Sequence, residues 1–377
     1  MRTAILTLPL HTNYGGILQA YALRRVLMEM GHEVTVLDLE DKMPLPERWK
    51  APAVYAKRAL LRIVRGSAAP EVFRERRYRR ELPAVSSRLE DFVRENVRPR
   101  VLGSYRDIRE GEYDAFVVGS DQVWRPRYFG KIEDAFLGFA EDWKLRRIAY
   151  AASFGTDELE FSHEMLVRCA ALLEKFDAVS VRESGAVDIC DEWFCCGRAV
   201  HVLDPVMLLG ADVYTSLFSG VCMHPAKGRV VTYILDSSPY KSNAAEFISR
   251  TFGMGIYDAS VHPYDRDVPL EERIVPPLEE WLSCFADAGF VVTDSFHGCV
   301  LSILFHKPFI AVGNQLRGNS RISSLLDMFG LGQRLVHGID PDDDGKFFMD
   351  GIDWDDVDRK LMAARKSSMD FLSGAFA

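Results

Sequence analysis

No run of apolar residues in this chain approaches the roughly 20 needed to cross a bilayer, so no membrane span is expected. Paired cysteines are missing too. The 7 cysteines (Cys169, Cys190, Cys195, Cys196, Cys222, Cys284 and Cys299) are odd in number and scattered, and none forms a CxxC pair. They read as reduced, mostly buried thiols of a cytoplasmic protein, with no metal role. Repeats and low-complexity tracts are absent. The apolar run in Met1–Pro9 is too short for a signal peptide and lacks a small-residue cleavage site, so a first strand is expected there. Nor is there a general positive charge. The net charge is −9, which argues against nonspecific nucleic-acid binding.

What is present is a chain of 377 residues with 48% hydrophobic content, enough for two domains with separate cores. Strand and helix alternate from the start: strands at Thr3–Leu8, Glu33–Asp38, Asp114–Val118, Arg147–Ala151, Ala178–Val181 and Ala199–Leu203, with helices at Gly15–Met30, Glu158–Phe176 and Glu183–Asp191. A second set follows. Its strands are Arg229–Leu235, Gly255–Asp258, Ala288–Val292 and Pro308–Val312, and its helices Asn243–Phe252, Pro277–Ala286 and Asn319–Phe329. This pattern predicts an α/β protein of two Rossmann-like domains facing a cleft. The expected divisions are a first domain over 1–219, a second over 220–352, and a C-terminal helix over 353–377 that crosses back to the first. Ala211–Phe218 is expected to bridge, Gly220–Gly228 to link, and Asp340–Asp344 to form an acidic loop.

The stretch 42–109 breaks the alternation and reads as a helical insertion. Between Glu47 and Arg109 there are 17 Lys and Arg against 8 Asp and Glu. Within it, Tyr55–Arg65 is an amphipathic basic helix. It suits an anionic membrane surface, although a solvated helix over the first domain is the commoner outcome.

The most informative segment is Thr293-Asp294-Ser295-Phe296-His297-Gly298, a polar turn with a histidine between an apolar strand and an apolar helix. Strand carboxyl ends are where open α/β sheets bind ligands, and first-turn helix amides favour an anion. His297 is therefore a catalytic candidate, against the ordinary alternative of a structural histidine. Ser295 and Gly298 flank it. Among the remaining histidines, His11 lies in the first loop and is kept in view, whereas His201 and His306 lack such a setting.

Other strand ends carry further candidates. Asn13-Tyr14-Gly15-Gly16 opens a helix that continues with Gln19 and Tyr21; it is a ligand-facing loop or a tight turn with Asn13 as cap. Gly119–Trp124 offers Asp121, Gln122 and Trp124, which is either a sugar-binding set or a capped turn with a core tryptophan. Small residues at Tyr150–Gly155 allow close backbone approach. Arg182 ends another strand and can clamp a carboxylate or phosphate, the alternative being a surface pair with Glu183. Arg321, at a helix start, is a second candidate clamp or an ordinary surface arginine.

In combination these segments resemble the polysaccharide pyruvyl transferase family. The pieces are Asn13–Tyr21, Gly119–Trp124, Ser180-Val181-Arg182-Glu183, Leu203-Asp204-Pro205, Asp294–Gly298 and Ser320-Arg321-Ile322. Each is weak alone, and their order and number are specific; the basic insertion and the C-terminal tail are not covered. The resemblance implies a GT-B-like fold and transfer of pyruvate from phosphoenolpyruvate to a sugar as a cyclic ketal, with no cofactor. It implies Arg182 and His297 as holders of the donor. Members often carry an arginine two residues before the histidine. Ser295 stands there in this chain, so the donor's positive charge is either missing or supplied elsewhere, by Arg321 or Arg317.

Ketal formation needs a proton on the donor's methylene carbon, a role suited to a histidine such as His297. Cations on the donor's carboxylate and phosphate suit Arg182 and Arg321. Asn13, Gly15, Gly16, Ser295 and Gly298 are grouped with the donor, and the Gly298 amide is expected to stabilise the leaving phosphate. Asp121, Gln122 and Trp124 are assigned to the acceptor, with Asp121 orienting its hydroxyls or acting as base. By family analogy the acceptor is a lipid-linked or polymeric glycan precursor at the inner face of a bacterial membrane. Two other readings stand beside this one: a GT-B glycosyltransferase using a nucleotide-sugar, and a non-catalytic glycan-binding relative.

Overall fold

The computed structural model describes every residue except 41–45, 47–48, 67–69, 157, 221–224, 266, 314–318, 339–347 and 349–350. Cys222, Arg317, the loop Asp340–Asp344 and part of the stretch Gly220–Gly228 lie outside the described residues.

The first sheet contains β1 (Arg2–Leu6), β2 (Glu33–Leu39), β3 (Arg100–Leu102), β4 (Ala115–Asp121), β5 (Arg146–Ala152), β6 (Ala178–Val181) and β7 (Val200–His201). Their order is β3-β2-β1-β4-β5-β6-β7, and neighbours pair in parallel. The second sheet contains β8 (Val230–Tyr233), β9 (Ile256–Asp258), β10 (Phe290–Thr293), β11 (Phe309–Val312) and β12 (Leu335–Val336), in the order β12-β11-β10-β8-β9, again parallel. Strands with helices on both faces need apolar side chains on both. Accordingly β4, β8, β10 and β11 are buried along their whole length.

Helix α1 (Tyr14–Glu29) follows β1. Helices α2 (Ala51–Arg65) and α3 (Arg74–Phe92) lie between β2 and β3, and α4 (His163–Leu173) and α5 (Gly185–Glu192) flank β6. Helix α6 (Ala211–Leu217) runs between the sheets. Then come α7 (Pro239–Phe252), α8 (Leu278–Asp287), α9 (Phe296–Leu304), α10 (Ser320–Phe329) and the last helix, α11 (Trp354–Phe376).

The lobes meet along a shared core. Tyr14 on α1 stacks on Trp281 of α8 with ring centroids 4.5 Å apart, and its hydroxyl donates to the Pro276 carbonyl at 2.9 Å. Helix α11 contacts both lobes. Ser368 accepts from the Leu203 amide at 3.0 Å, Arg365 donates to the carbonyls of Met207 and Leu209, and α11 packs on α10.

Three departures from the sequence pattern have clear causes. Strand β3 lies inside the stretch 42–109 yet pairs with β2, so that stretch is not purely an added helical block. At three residues and half exposed, β3 carries too little periodicity to be read. Helix α4 begins at His163 rather than Glu158, because Ser162 caps it by accepting the Met165 amide. The two-residue edge strand β12 has no pattern of its own.

Candidate active site

Sequence places glycine at a point where the two lobes meet. The first turn of α1 begins directly after the loop from β1, and Gly15 sits there against His297 of the second lobe. A Cβ built on Gly15 would lie 2.0 Å from His297 Nδ1. The imidazole therefore occupies the space a side chain would need, and only glycine admits it. His297 reaches this position because β10 ends at Thr293 and the chain turns directly into α9. Ser295 caps that helix, its hydroxyl accepting the Gly298 amide at 3.4 Å, and the apolar remainder of α9 is wholly buried.

Behind the imidazole is a buried ion network. Arg182 lies 2.9 Å from Asp204 and 3.3 Å from Asp121, and its guanidinium also covers the Phe296 ring at 4.5 Å. His297 Nε2 approaches Asp204 to 3.7 Å, longer than a hydrogen bond, and is buried without a hydrogen-bond partner. Burial alone would raise the Asp204 carboxyl. His297 and Arg182 outweigh it and hold the group well below the usual carboxylate range. Burial likewise opposes the charge on Arg182, but Asp204, Asp121 and Glu183 keep it firmly protonated. Asp121 also accepts from Asn13 Nδ2 at 3.3 Å. A histidine from one lobe is thus set against a carboxylate and arginine of the other.

Arg321 stands apart from this network. It makes no hydrogen bond or ion pair among the described residues, and its Nε is buried without a partner there. Burial, followed by repulsion from Arg182, pulls its pKa down to about 10. A charge so placed calls for an anion. Arg321, His297, Ser295, Asn13, Gly15, Asp121 and Gln122 all border one cleft of about 850 Å³ between the sheets. That volume suits a small substrate together with part of a larger one.

Several expectations need correction. Trp124 is fully buried, stacks on Phe136 with centroids 5.1 Å apart, and donates Nε1–H to the Ala135 carbonyl. It offers no face to a sugar; the apolar packing on both sides of β4 outcompetes the cleft for its large ring. The Gly298 amide is taken up by Ser295, so it is not the phosphate donor expected of it. Gly298 serves packing instead, since a Cβ there would lie 2.3 Å from Thr293 Oγ1. Arg182 does not border the cleft; it holds Asp204 and Asp121 in place, and it forms no surface pair with Glu183, which is buried and accepts from Ser153 and the Phe154 amide. Gly16 also lies off the cleft wall, with Asn13 Nδ2 3.0 Å from where its Cβ would be. Asn13 stands at the N-cap position of α1, but its side chain turns to Asp121 instead of capping. Gln19 faces inward, bonding Thr7 and the Ser120 amide.

Asp204 is the important residue whose role the sequence left unassigned. Its only signal was an Asp-Pro pair after a strand, which marks a turn and not a partner for a histidine 93 positions away. The outer wall was also not foreseen. Tyr264 and Thr12 hydroxyls lie 2.6 Å apart across the lobes, and Tyr78 of α3 stacks on Tyr264 with centroids 5.5 Å apart. Tyr78 also reaches His11 Nε2 at 3.3 Å. Helix α3 binds the second lobe directly, through Glu81 with Arg273 at 3.0 Å and the Val85 carbonyl with the Val275 amide at 2.9 Å. Among the described residues, no cluster of three or more His, Cys, Asp or Glu is placed to hold a metal ion.

Two Rossmann-like lobes closing on one polar cleft define a GT-B-like protein. The chain belongs to the polysaccharide pyruvyl transferase family, which it matches over residues 13–315, and it is a transferase. Membership carries a reaction class with it, pyruvyl transfer from phosphoenolpyruvate to a sugar or glycan. No curated protein matches the chain. Among solved structures, it is similar to the glycosyltransferase of kitacinnamycin at 14% identity and a TM-score of 0.45, covering 100% of this chain and 99% of that one. The UDP-N-acetylglucosamine 2-epimerase of Rickettsia bellii is 8% identical with a TM-score of 0.47, covering 99% and 96%. That of Methanocaldococcus jannaschii, in complex with UDP-GlcNAc and UDP, is 12% identical with a TM-score of 0.44, covering 96% and 93%.

Proposed function

We propose that the cleft binds phosphoenolpyruvate against Arg321 and the first turn of α9, and transfers its pyruvyl unit to two hydroxyls of one sugar. The observation that carries this is the Arg321 guanidinium, unpaired among the described residues, bordering the same cavity as His297. Phosphoenolpyruvate has two anionic groups for these positive features. The first hydroxyl oxygen adds to C2 of the donor while a proton goes to the methylene carbon, which becomes a methyl group. The second hydroxyl then displaces phosphate from C2, closing the ketal and releasing its proton with the phosphate.

His297 is the group we assign to protonation of the methylene. The Asp204 carboxylate stands 3.7 Å from its Nε2, and Arg182 keeps Asp204 ionised. Asp121 and Gln122 border the cleft on the first-lobe side, where Asp121 orients the acceptor hydroxyls or takes their proton. Ser295 replaces the family's frequent arginine and shapes the turn; Arg321 supplies the charge. We place the acceptor on a lipid-linked or polymeric glycan precursor, with the enzyme in the cytoplasm and peripheral to the inner face of a bacterial membrane, by analogy with the family.

The test is phosphate release from phosphoenolpyruvate in the presence of an accepted sugar. His297→Ala is expected to lower turnover by about 10²–10⁴-fold. Near-full activity in that variant would remove the acid assignment.

A further inference from the structure

Helix α2 is amphipathic in the wrong sense for a surface helix of a soluble domain. Such a helix turns its apolar stripe to the core and its charges to water. In α2 no residue is fully buried. Its inner side is fixed by polar and aromatic contacts: Arg58 pairs with the buried Glu75 of α3 at 2.7 Å, and Tyr55 packs on Phe73 with centroids 4.9 Å apart. The apolar positions Leu60, Ile63 and Val64 point the other way, 63%, 82% and 73% exposed, with Ala53 and Ala56 on the same side. Just before the helix, Trp49 is 77% exposed.

The charges around this stripe have one sign. From Trp49 to Arg65 there is no Asp or Glu, while Lys57, Arg62 and Arg65 are exposed. The helix is also far from apolar enough to span a bilayer, and among the described residues no helix qualifies. An exposed apolar stripe, a flanking tryptophan and cations that can extend to headgroups are the requirements for lying in an anionic lipid interface. A symmetric contact between two copies would set Lys57, Arg62 and Arg65 against their own kind.

We infer that α2 docks the protein on an anionic lipid surface, with Leu60, Ile63, Val64 and Trp49 inserted and the basic residues on the headgroups. The placement gives the docking a purpose. Helix α2 sits on the first turn of α3, and one turn further on Tyr78 of α3 reaches Tyr264 and His11 at the cleft's outer wall. A helix held at the membrane thereby brings the cleft to a lipid-linked substrate. That purpose, but not the docking, rests on the pyruvyl-transfer reading.

The experiment is flotation of the full chain with phosphatidylcholine vesicles, with and without phosphatidylglycerol. The native protein is expected to float only with the anionic vesicles and to be released by salt. Lys57→Glu with Arg62→Glu should abolish flotation, since each lost cation alone weakens partitioning about fivefold. Leu60→Asp with Ile63→Asp should abolish it equally. All four positions are outside the core, and an unchanged urea midpoint shows that each variant is folded. The inference is overturned if the native chain does not float with anionic vesicles, or if the Leu60→Asp, Ile63→Asp variant floats as well as the native chain. It is equally overturned if sedimentation shows native dimers that these two substitutions dissolve, which would make the stripe a contact between copies. A native chain that floats yet does not bind phosphoenolpyruvate leaves the docking in place and removes the donor assignment alone.

Discussion

Gly15 of the first lobe and His297 of the second share one position in space. A methyl group on Gly15 would stand 2.0 Å from His297 Nδ1. The lobes are therefore complementary where protonation is assigned: one lacks a side chain where the other inserts an imidazole. Gly15→Ala must either turn the imidazole or part the lobes. A misplacement on the order of 1 Å costs catalysis about 10²-fold, so turnover is expected to fall by about that factor. Solving the variant structure checks the cause, and an unmoved His297 with full activity would contradict it.

Asp204 links the histidine to the arginine. Asp204→Asn leaves Arg182 charged, buried and short of a carboxylate, which costs about 3–5 kcal/mol of stability. The pH dependence follows from the depressed Asp204 carboxyl. Its contribution is fully present above the ordinary aspartate pKa and is lost as pH falls through the lower folded value. Urea midpoints measured down the acid range are expected to fall more steeply in the native chain than in the Asp204→Asn variant.

Arg321 is expected to make the fold anion-responsive. With its pKa lowered to about 10, the guanidinium is charged at neutral pH at a cost to the folded state. Between that value and the ordinary arginine range the unfolded chain holds more protons, so stability rises with pH there. An anion in the cleft relieves the cost. Phosphate or phosphoenolpyruvate should raise the melting temperature, and binding should weaken as pH rises through about 10. Arg321→Gln should lose both effects; a variant that keeps them would place the anion elsewhere.

Trp124 separates packing from recognition. Trp124→Ala is expected to destabilise the protein by about 3–5 kcal/mol, read as a shift in the urea midpoint. Trp124→Phe preserves the stacking on Phe136 and should leave the acceptor KM unchanged. A raised KM with native stability would restore a sugar-binding role.

The alternation of apolar strands and helices was legible in the chain because parallel sheets bury both strand faces, and runs such as Ala115–Val118 and Phe290–Val292 are continuous and apolar. The strand-end motifs led to His297, Asp121, Gln122, Asn13, Gly15 and Arg321, which do share one cleft. What stayed hidden depends on contacts between distant segments. Nothing local in Asp204-Pro205 announces a carboxylate for His297, and nothing in Trp124 says which side of β4 its ring will choose. The partner of Tyr78 lies in the other lobe. The outward apolar stripe of α2 was visible as a period, but its direction is set by the Arg58–Glu75 pair, which no spacing rule contains.

The most direct measurement is calorimetric titration of the native chain and Arg321→Ala with phosphoenolpyruvate, with UDP, GDP and their sugar conjugates run in parallel. Saturable binding of phosphoenolpyruvate to the native chain is expected, lost in Arg321→Ala, with no nucleotide binding. Nucleotide binding without phosphoenolpyruvate binding would contradict it, and would mean that Ser295 marks a change of donor.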